Sequence, residues 1–213
     1  MTDVSIVHVD DAILVLNKQA GLLSVPGRGE DKQDCLSRRV QKLYPDALVV
    51  HRLDMATSGL MVMARRNDAQ RMLNEAFATR CVHKRYEAIV DGVIHPTRSG
   101  WQVIDLPIFL EWSQRPKRVI DMQQGKPSST RWQVLEVNPV EQTTRLSLEP
   151  ITGRSHQLRV HLQAIDHSIL GDPLYGSPEV ASKASRLLLH ACMLEFSHPL
   201  SQQALRFTSP APF

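Results

Sequence analysis

The sequence predicts an α+β protein built on a mixed, largely antiparallel sheet with flanking helices. Apolar or alternating runs of strand length outnumber helical periods. Two of them, WQVLEV and RLSLEP, are joined by the turn-rich NPVEQT and read as a hairpin, whereas clean strand-helix-strand units are scarce. With 213 residues, 42% of them hydrophobic, the chain can bury one substantial core, so a single domain spanning residues 1–213 is expected.

After a short polar start, AILVLNK is a buried strand, and GLLSVPGRGED is an irregular loop punctuated by Gly and Pro. Leu36, Val40 and Leu43 lie at helical spacing, with Asp34 able to cap and Pro45 just beyond. LMVMA is the next strand. It leads to Asn67, an expected N-cap with Gln70 three residues on, and to a helix whose apolar face is Ala69, Met72, Leu73, Ala76 and Phe77. YEAIV resumes the strand pattern before the hairpin. Leu158, Leu162 and Ile165 then mark a helix from Ser155, its expected cap, to Asp166, and RLLLHACMLEF is a last buried strand.

The net charge of +3 is only mildly basic, below that of a dedicated nucleic-acid module. The cations cluster nonetheless. Arg65, Arg66, Arg71, Arg80, Lys84 and Arg85 form one group and Arg115, Lys117 and Arg118 another, so an RNA or DNA partner is plausible beside the plain alternative of solvated faces. Cys35, Cys81 and Cys192 are far apart and never in a C-x-x-C pair, which argues against a disulfide framework and a thiolate zinc site. No signal-like start and no apolar run near the ~20 residues of a membrane span are present, so a cytoplasmic protein without a membrane partner is expected.

Several motifs fail. Gly27-Arg28-Gly29 lacks the third glycine and following helix of a dinucleotide fingerprint, and Gly125-Lys126 precedes Pro127, so no P-loop exists. Ser58 lacks the upstream glycine of a nucleophile elbow. His156 and His161 are five apart and do not stack as the ligands of a zinc helix. No cofactor and no metal are expected.

The stretch HRLDMATSGL, residues 51–60, remains. If residues 52–54 are extended, Arg52 and Asp54 share one side and Leu53 enters the core. Either the two charges form a surface ion pair, worth ~0–1 kcal/mol, or they serve chemistry. HRLDMATSGL resembles the signature of the RluA family of pseudouridine synthases, in which the aspartate is catalytic. NKQAGLLSVPG resembles the family's upstream motif, KRYEAIVDG its tyrosine segment, ITGRSHQLRVHL its arginine motif, and ILGDPLYG with RLLLHA its C-terminal signatures. They occur in the family's order over nearly the whole chain. Gln19 departs from the proline the family commonly has after the lysine. With the first strand so near residue 1, the compact RluA type is expected, without a small N-terminal S4-like RNA-binding domain.

The resemblance implies the pseudouridine synthase catalytic fold and an isomerase acting, as a monomer, on large-subunit ribosomal RNA, a tRNA anticodon stem-loop, or both. Asp54 is then the catalytic carboxylate, a nucleophile at C1′ or a base at C2′. Arg154 matches the family arginine that pairs with it, which favours the charged carboxylate. Tyr86 stacks on the base and removes or relays the C5 proton. Arg52 fills the gap left by a flipped base or holds the flanking backbone. Lys84, Arg85, Arg115, Lys117 and Arg118 are candidate phosphate contacts. His51 and His190 read as structural hydrogen-bonding residues. A catalytically silent RNA-binding module and an N-glycosidase are the competing functions, the latter opposed by the lack of a second obvious carboxylate beside Asp54.

Overall fold

The structure, a computed structural model, describes residues 4–95 and 100–213. In chain order the first half contains β1 (Ser5–Val9), β2 (Ile13–Lys18), α1 (Leu36–Leu43), β3 (Leu48–Val49), β4 (Ser58–Ala64), α2 (Asn67–Ala78), β5 (His83–Asp91) and β6 (Gln102–Asp105). The second contains β7 (Ile108–Phe109), β8 (Val119–Ile120), β9 (Ser129–Asn138), β10 (Thr143–Pro150), α3 (Gln157–Ala164), α4 (Pro178–Ser182), β11 (Leu189–Ser197) and β12 (Ala204–Thr208). Short one-turn 3-10 helices lie at Glu30–Lys32 and Trp112–Gln114. Two compact units result: Met1–Lys84 with Ala191–Pro212, and Arg85–His190 with Phe213.

In the first unit the strand order is β1-β2-β4-β11, with β12 on β11 and β3 on β4. β2 and β4 pair antiparallel from Ile13 opposite Ala64 to Lys18 opposite Gly59. Their residues are almost all buried, which is why both read as continuous apolar runs rather than alternating ones. Ala69 and Leu73 of α2 join Ile13, Val15, Leu60, Val62, Leu194 and Phe196 in the core. Gly59, with φ of 116°, is where only glycine fits: a Cβ there would collide with the backbone of Ala191.

In the second unit the order is β5-β10-β9-β6, each pair antiparallel. The expected hairpin is β9 and β10, with a register shift between Arg145 and Leu146. β7 and β8 form a separate two-stranded sheet, against which Val160 of α3 and Tyr175 pack through Ile108 and Ile120. The α+β class with its largely antiparallel sheet therefore holds.

Details differ from expectation. β1 and β12 have no counterpart in the predicted elements, although SIVHV carries three β-branched apolar residues that the structure leaves largely exposed, and β3, β7 and β8 are too short to show a period. The expected caps Asp34, Asn67 and Ser155 give way to Cys35, Arg66 and His156, none making a side-chain cap bond. Asp34 is instead a bidentate acceptor for Arg39, Nε and Nη2 donating at 2.8 and 2.6 Å. The third helix starts at Gln157 rather than Ser155, because His156 sits in the left-handed region at φ of 58°. Among the described residues no helix is long and apolar enough to cross a membrane.

Candidate active site

Asp54 lies between β3 and β4, in a segment that pairs with no strand. Residues 52–54 join no sheet, and the turn that follows them closes when the Thr57 amide donates to the Asp54 carbonyl at 3.1 Å. Leu53 does enter the core, Arg52 is exposed and Asp54 is half-buried.

The backbone on both sides of Asp54 is tied down by the upstream loop. Ser24 Oγ donates to the Leu53 carbonyl at 2.7 Å and accepts from the Leu53 amide at 3.1 Å. The Met55 carbonyl accepts from the Gly21 amide at 2.9 Å and from Lys18 Nζ at 3.0 Å. Lys18 is 0% exposed, and its Nζ also donates to the carbonyls of Gln19 and Leu22 at 3.0 and 2.7 Å. NKQAGLLS is therefore the cradle of the Asp54 loop. A carboxylate on so constrained a backbone starts near one position, which reduces the ordering a reaction would require.

His51 opens the same segment. Its Nε2 accepts from the Val62 amide at 3.0 Å, and the ring stacks on Phe77 with centroids 4.4 Å apart. Burial, with the Lys84 ammonium second, pushes the imidazole down to about 3. Lys84 itself lies 5.7 Å from the Phe77 centroid, and burial lowers its pKa as well. Below about 6.5 the unfolded His51 gains a proton that the folded one refuses, so this contribution to stability is present above that pH and is lost as pH falls toward about 3. Thermal melts across this range are expected to show a shallower acid-side fall in melting temperature for His51→Gln than for the wild type; parallel curves would remove His51 as a source of the dependence.

In the second unit Tyr86 is half-buried on β5, opposite Leu148 of β10. Arg85 Nη2 donates to Glu149 Oε1 at 2.8 Å, and Arg85 and Arg131 both approach the Trp101 ring, at 5.5 and 5.0 Å. Arg154 is exposed, in the turn before α3. Its amide donates at 3.0 Å to Oε1 of Gln157, which is 3% exposed. The same Oε1 accepts from Thr152 Oγ1 at 2.7 Å, while Nε2 donates to the Ser129 carbonyl and Thr130 Oγ1 at 2.9 and 3.0 Å. All four hydrogen-bonding positions of one buried amide are filled, and the turn bearing Arg154 is fixed to the start of β9.

The segment ILGDPLYG supports the same turn. Asp172 and Arg159 form a buried bidentate pair at 2.6 and 2.7 Å. Asp172 Oδ1 also accepts from the amides of Leu174 and Tyr175, and the Tyr175 hydroxyl shares a 2.8 Å hydrogen bond with His156 Nδ1. Burial raises the Tyr175 phenol to about 12, so it stays protonated. Arg115 lies over the ring of Trp112, Lys117 is exposed, and the Arg118 amide donates to the Tyr175 hydroxyl at 2.8 Å.

Of the residues singled out from sequence, Arg52, Asp54 and Lys84 thus belong to the first unit, and Arg85, Tyr86, Arg115, Lys117, Arg118 and Arg154 to the second. Lys18, Ser24, Gln157 and Tyr175 were not singled out. A lysine closing the apolar run AILVLN and an amide opening an amphipathic helix are the signals that could have marked two of them. Among the described residues no cluster of three or more His, Cys, Asp or Glu side chains is placed to hold a metal ion.

A sequence profile of the family described as RNA pseudouridylate synthase matches residues 12–164, a span that includes the Asp54 loop, Tyr86 and the Arg154 turn. The chain belongs to this family. It is accordingly an enzyme of the isomerase class. It is 48% identical over 208 residues to the dual-specificity RNA pseudouridine synthase RluA of Escherichia coli (strain K12), covering 98% of this chain and 93% of that one. The RluA of Salmonella typhi is 47% identical with the same coverage. Among solved structures, human RNA pseudouridylate synthase domain containing 1 superposes with a TM-score of 0.80 at 29% identity, covering 100% of this chain and 85% of that one. The resemblance carried by the ordered motifs is thereby confirmed at the level of family and fold.

Proposed function

We propose that this protein isomerises chosen uridines of structured RNA to pseudouridine, with residues 1–213 working as one catalytic domain and Asp54 as its carboxylate. The observation that carries the reading is the Asp54 loop, clamped at Leu53 and Met55 by Ser24, Gly21 and Lys18, in a chain of this family. The reaction breaks the N1–C1′ bond, turns the uracil without releasing it, joins C5 to C1′ and loses the C5 proton to solvent. N1 regains a proton, so the product is an isomer of the substrate.

Asp54 acts in its ionised form, either attacking C1′ or removing the proton at C2′. Arg154 is the arginine of the proposed chemistry. Tyr86 stacks on the base and takes or relays the C5 proton. Arg52 occupies the space vacated by the flipped nucleotide, and Lys84, Arg85, Arg115, Lys117 and Arg118 meet phosphates. Dual specificity in the named relatives supports two RNA targets here, large-subunit ribosomal RNA and a tRNA anticodon stem-loop. The protein works as a monomer in the cytoplasm.

Release of tritium from 5-tritiated uridine in RNA, with no free uracil, is the deciding measurement. Free uracil would indicate an N-glycosidase. Binding without release would indicate an RNA-binding module.

A further inference from the structure

We infer that Trp112 is a stacking platform for an unpaired base of the RNA, with Arg115 and Lys117 holding the phosphates beside it; this rests on reading the chain as an RNA pseudouridine synthase. Residues 106–126 form an arm containing β7, the turn of helix Trp112–Gln114 and β8, closed where Ile108 bridges Lys126. The arm buries Ile108 but leaves Trp112 67% exposed. Its two fellow tryptophans behave otherwise: Trp132 is buried and Trp101 lies half-buried by Arg85 and Arg131. An exposed indole offers a flat aromatic surface that a stacking partner can cover.

The charge around it selects the partner. Between residues 106 and 126 there are four cations, Arg115, Lys117, Arg118 and Lys126, and two anions, Glu111 and Asp121. Both anions turn onto their own backbone, Glu111 accepting from the Ser113 amide and Asp121 from the amides of Gln123 and Gln124. The Arg115 guanidinium lies 3.0 Å from the Trp112 centroid. One flat aromatic beside exposed cations is what a base and its phosphates require, since every base has a π-face and every linkage a negative charge.

The arm is also tied to the helix that follows Arg154. His161 of α3 donates Nε2–H to the Leu106 carbonyl at 2.9 Å at the base of the arm, and the Tyr175 hydroxyl bridges the Arg118 amide and His156 at 2.8 Å each. These anchors set the indole's place relative to the Arg154 turn. RNA held on Trp112 is therefore held at a set distance from that turn.

The test uses the full chain and an anticodon-type RNA stem-loop carrying 5-tritiated uridine, with affinity measured over a series of salt concentrations. Trp112→Ala is expected to weaken binding roughly tenfold or more at every salt concentration, leaving the log-log slope unchanged because stacking releases no counterions. Trp112→Phe should recover most of the affinity. Trp112→Leu, which keeps apolar bulk without a π-face, should not. Lys117→Ala should instead flatten the slope by roughly 0.7, and Val140→Ala, on the exposed β9–β10 turn, is the control expected to match the wild type. Wild-type affinity in Trp112→Ala or Trp112→Leu would overturn the inference and leave the indole to a protein partner, and a changed slope in Trp112→Ala would overturn stacking as its role. A wild type that releases no tritium would instead defeat the proposed function itself.

Discussion

Asp54→Asn is expected to reduce tritium release to background while RNA affinity and melting temperature stay near those of the wild type. The substitution keeps size and shape, but an amide is neither a useful nucleophile at C1′ nor a base at C2′, so both routes fail together. The loop should survive. Its clamps run through the backbone of Leu53 and Met55 and through Ser24, Gly21 and Lys18, and the turn bond uses the Asp54 carbonyl. Affinity should survive because phosphate contacts and stacking supply it. If Asp54 were only half of an exposed pair with Arg52, the variant would lose at most ~1 kcal/mol of stability and keep its turnover. Substantial turnover by folded Asp54→Asn would sink the mechanism.

The largest effect on stability is expected from Asp172→Asn. The side chains of Arg159 and Asp172 are 4% and 0% exposed, so removing the carboxylate charge breaks a buried bidentate pair from one side. Breaking a buried pair from one side costs about 3–5 kcal/mol, to be read from the urea midpoint. Asn can still accept from the Leu174 and Tyr175 amides, so the loss reports the charge rather than the turn. The double variant Arg159→Met with Asp172→Leu should cost less than the single one, because both charges are then removed together. A single variant within about 1 kcal/mol of the wild type would mean that water reaches the guanidinium.

Much of this architecture is legible in local spacing. β2 and β4 announce themselves as apolar runs because both their faces are covered, and the β9–β10 hairpin by its turn residues. The apolar period of α2 follows from the single face it turns to the core, where Ala69 and Leu73 are buried. The family, too, could be read from ordered motifs, because each concentrates its chemistry within about ten residues of chain.

Other features are invisible at that range. β12 is a strand because Leu205 and Phe207 meet Phe196 and Leu194 of β11, not because ALRFT has a strong strand pattern. The cap expected at Asp34 went elsewhere because Arg39 captured its carboxylate.

The residues that support the candidate site divide the same way. HRLDMATSGL names a carboxylate and its neighbours, since a catalytic group and its flanking turn lie within one segment. That Lys18 would reach the Met55 carbonyl, 37 residues away, and Gln157 the Ser129 carbonyl, 28 residues away, depends on which loops pack together. A buried amine or amide must satisfy its hydrogen bonds with whatever carbonyls the fold delivers, and no spacing along the chain specifies which those are.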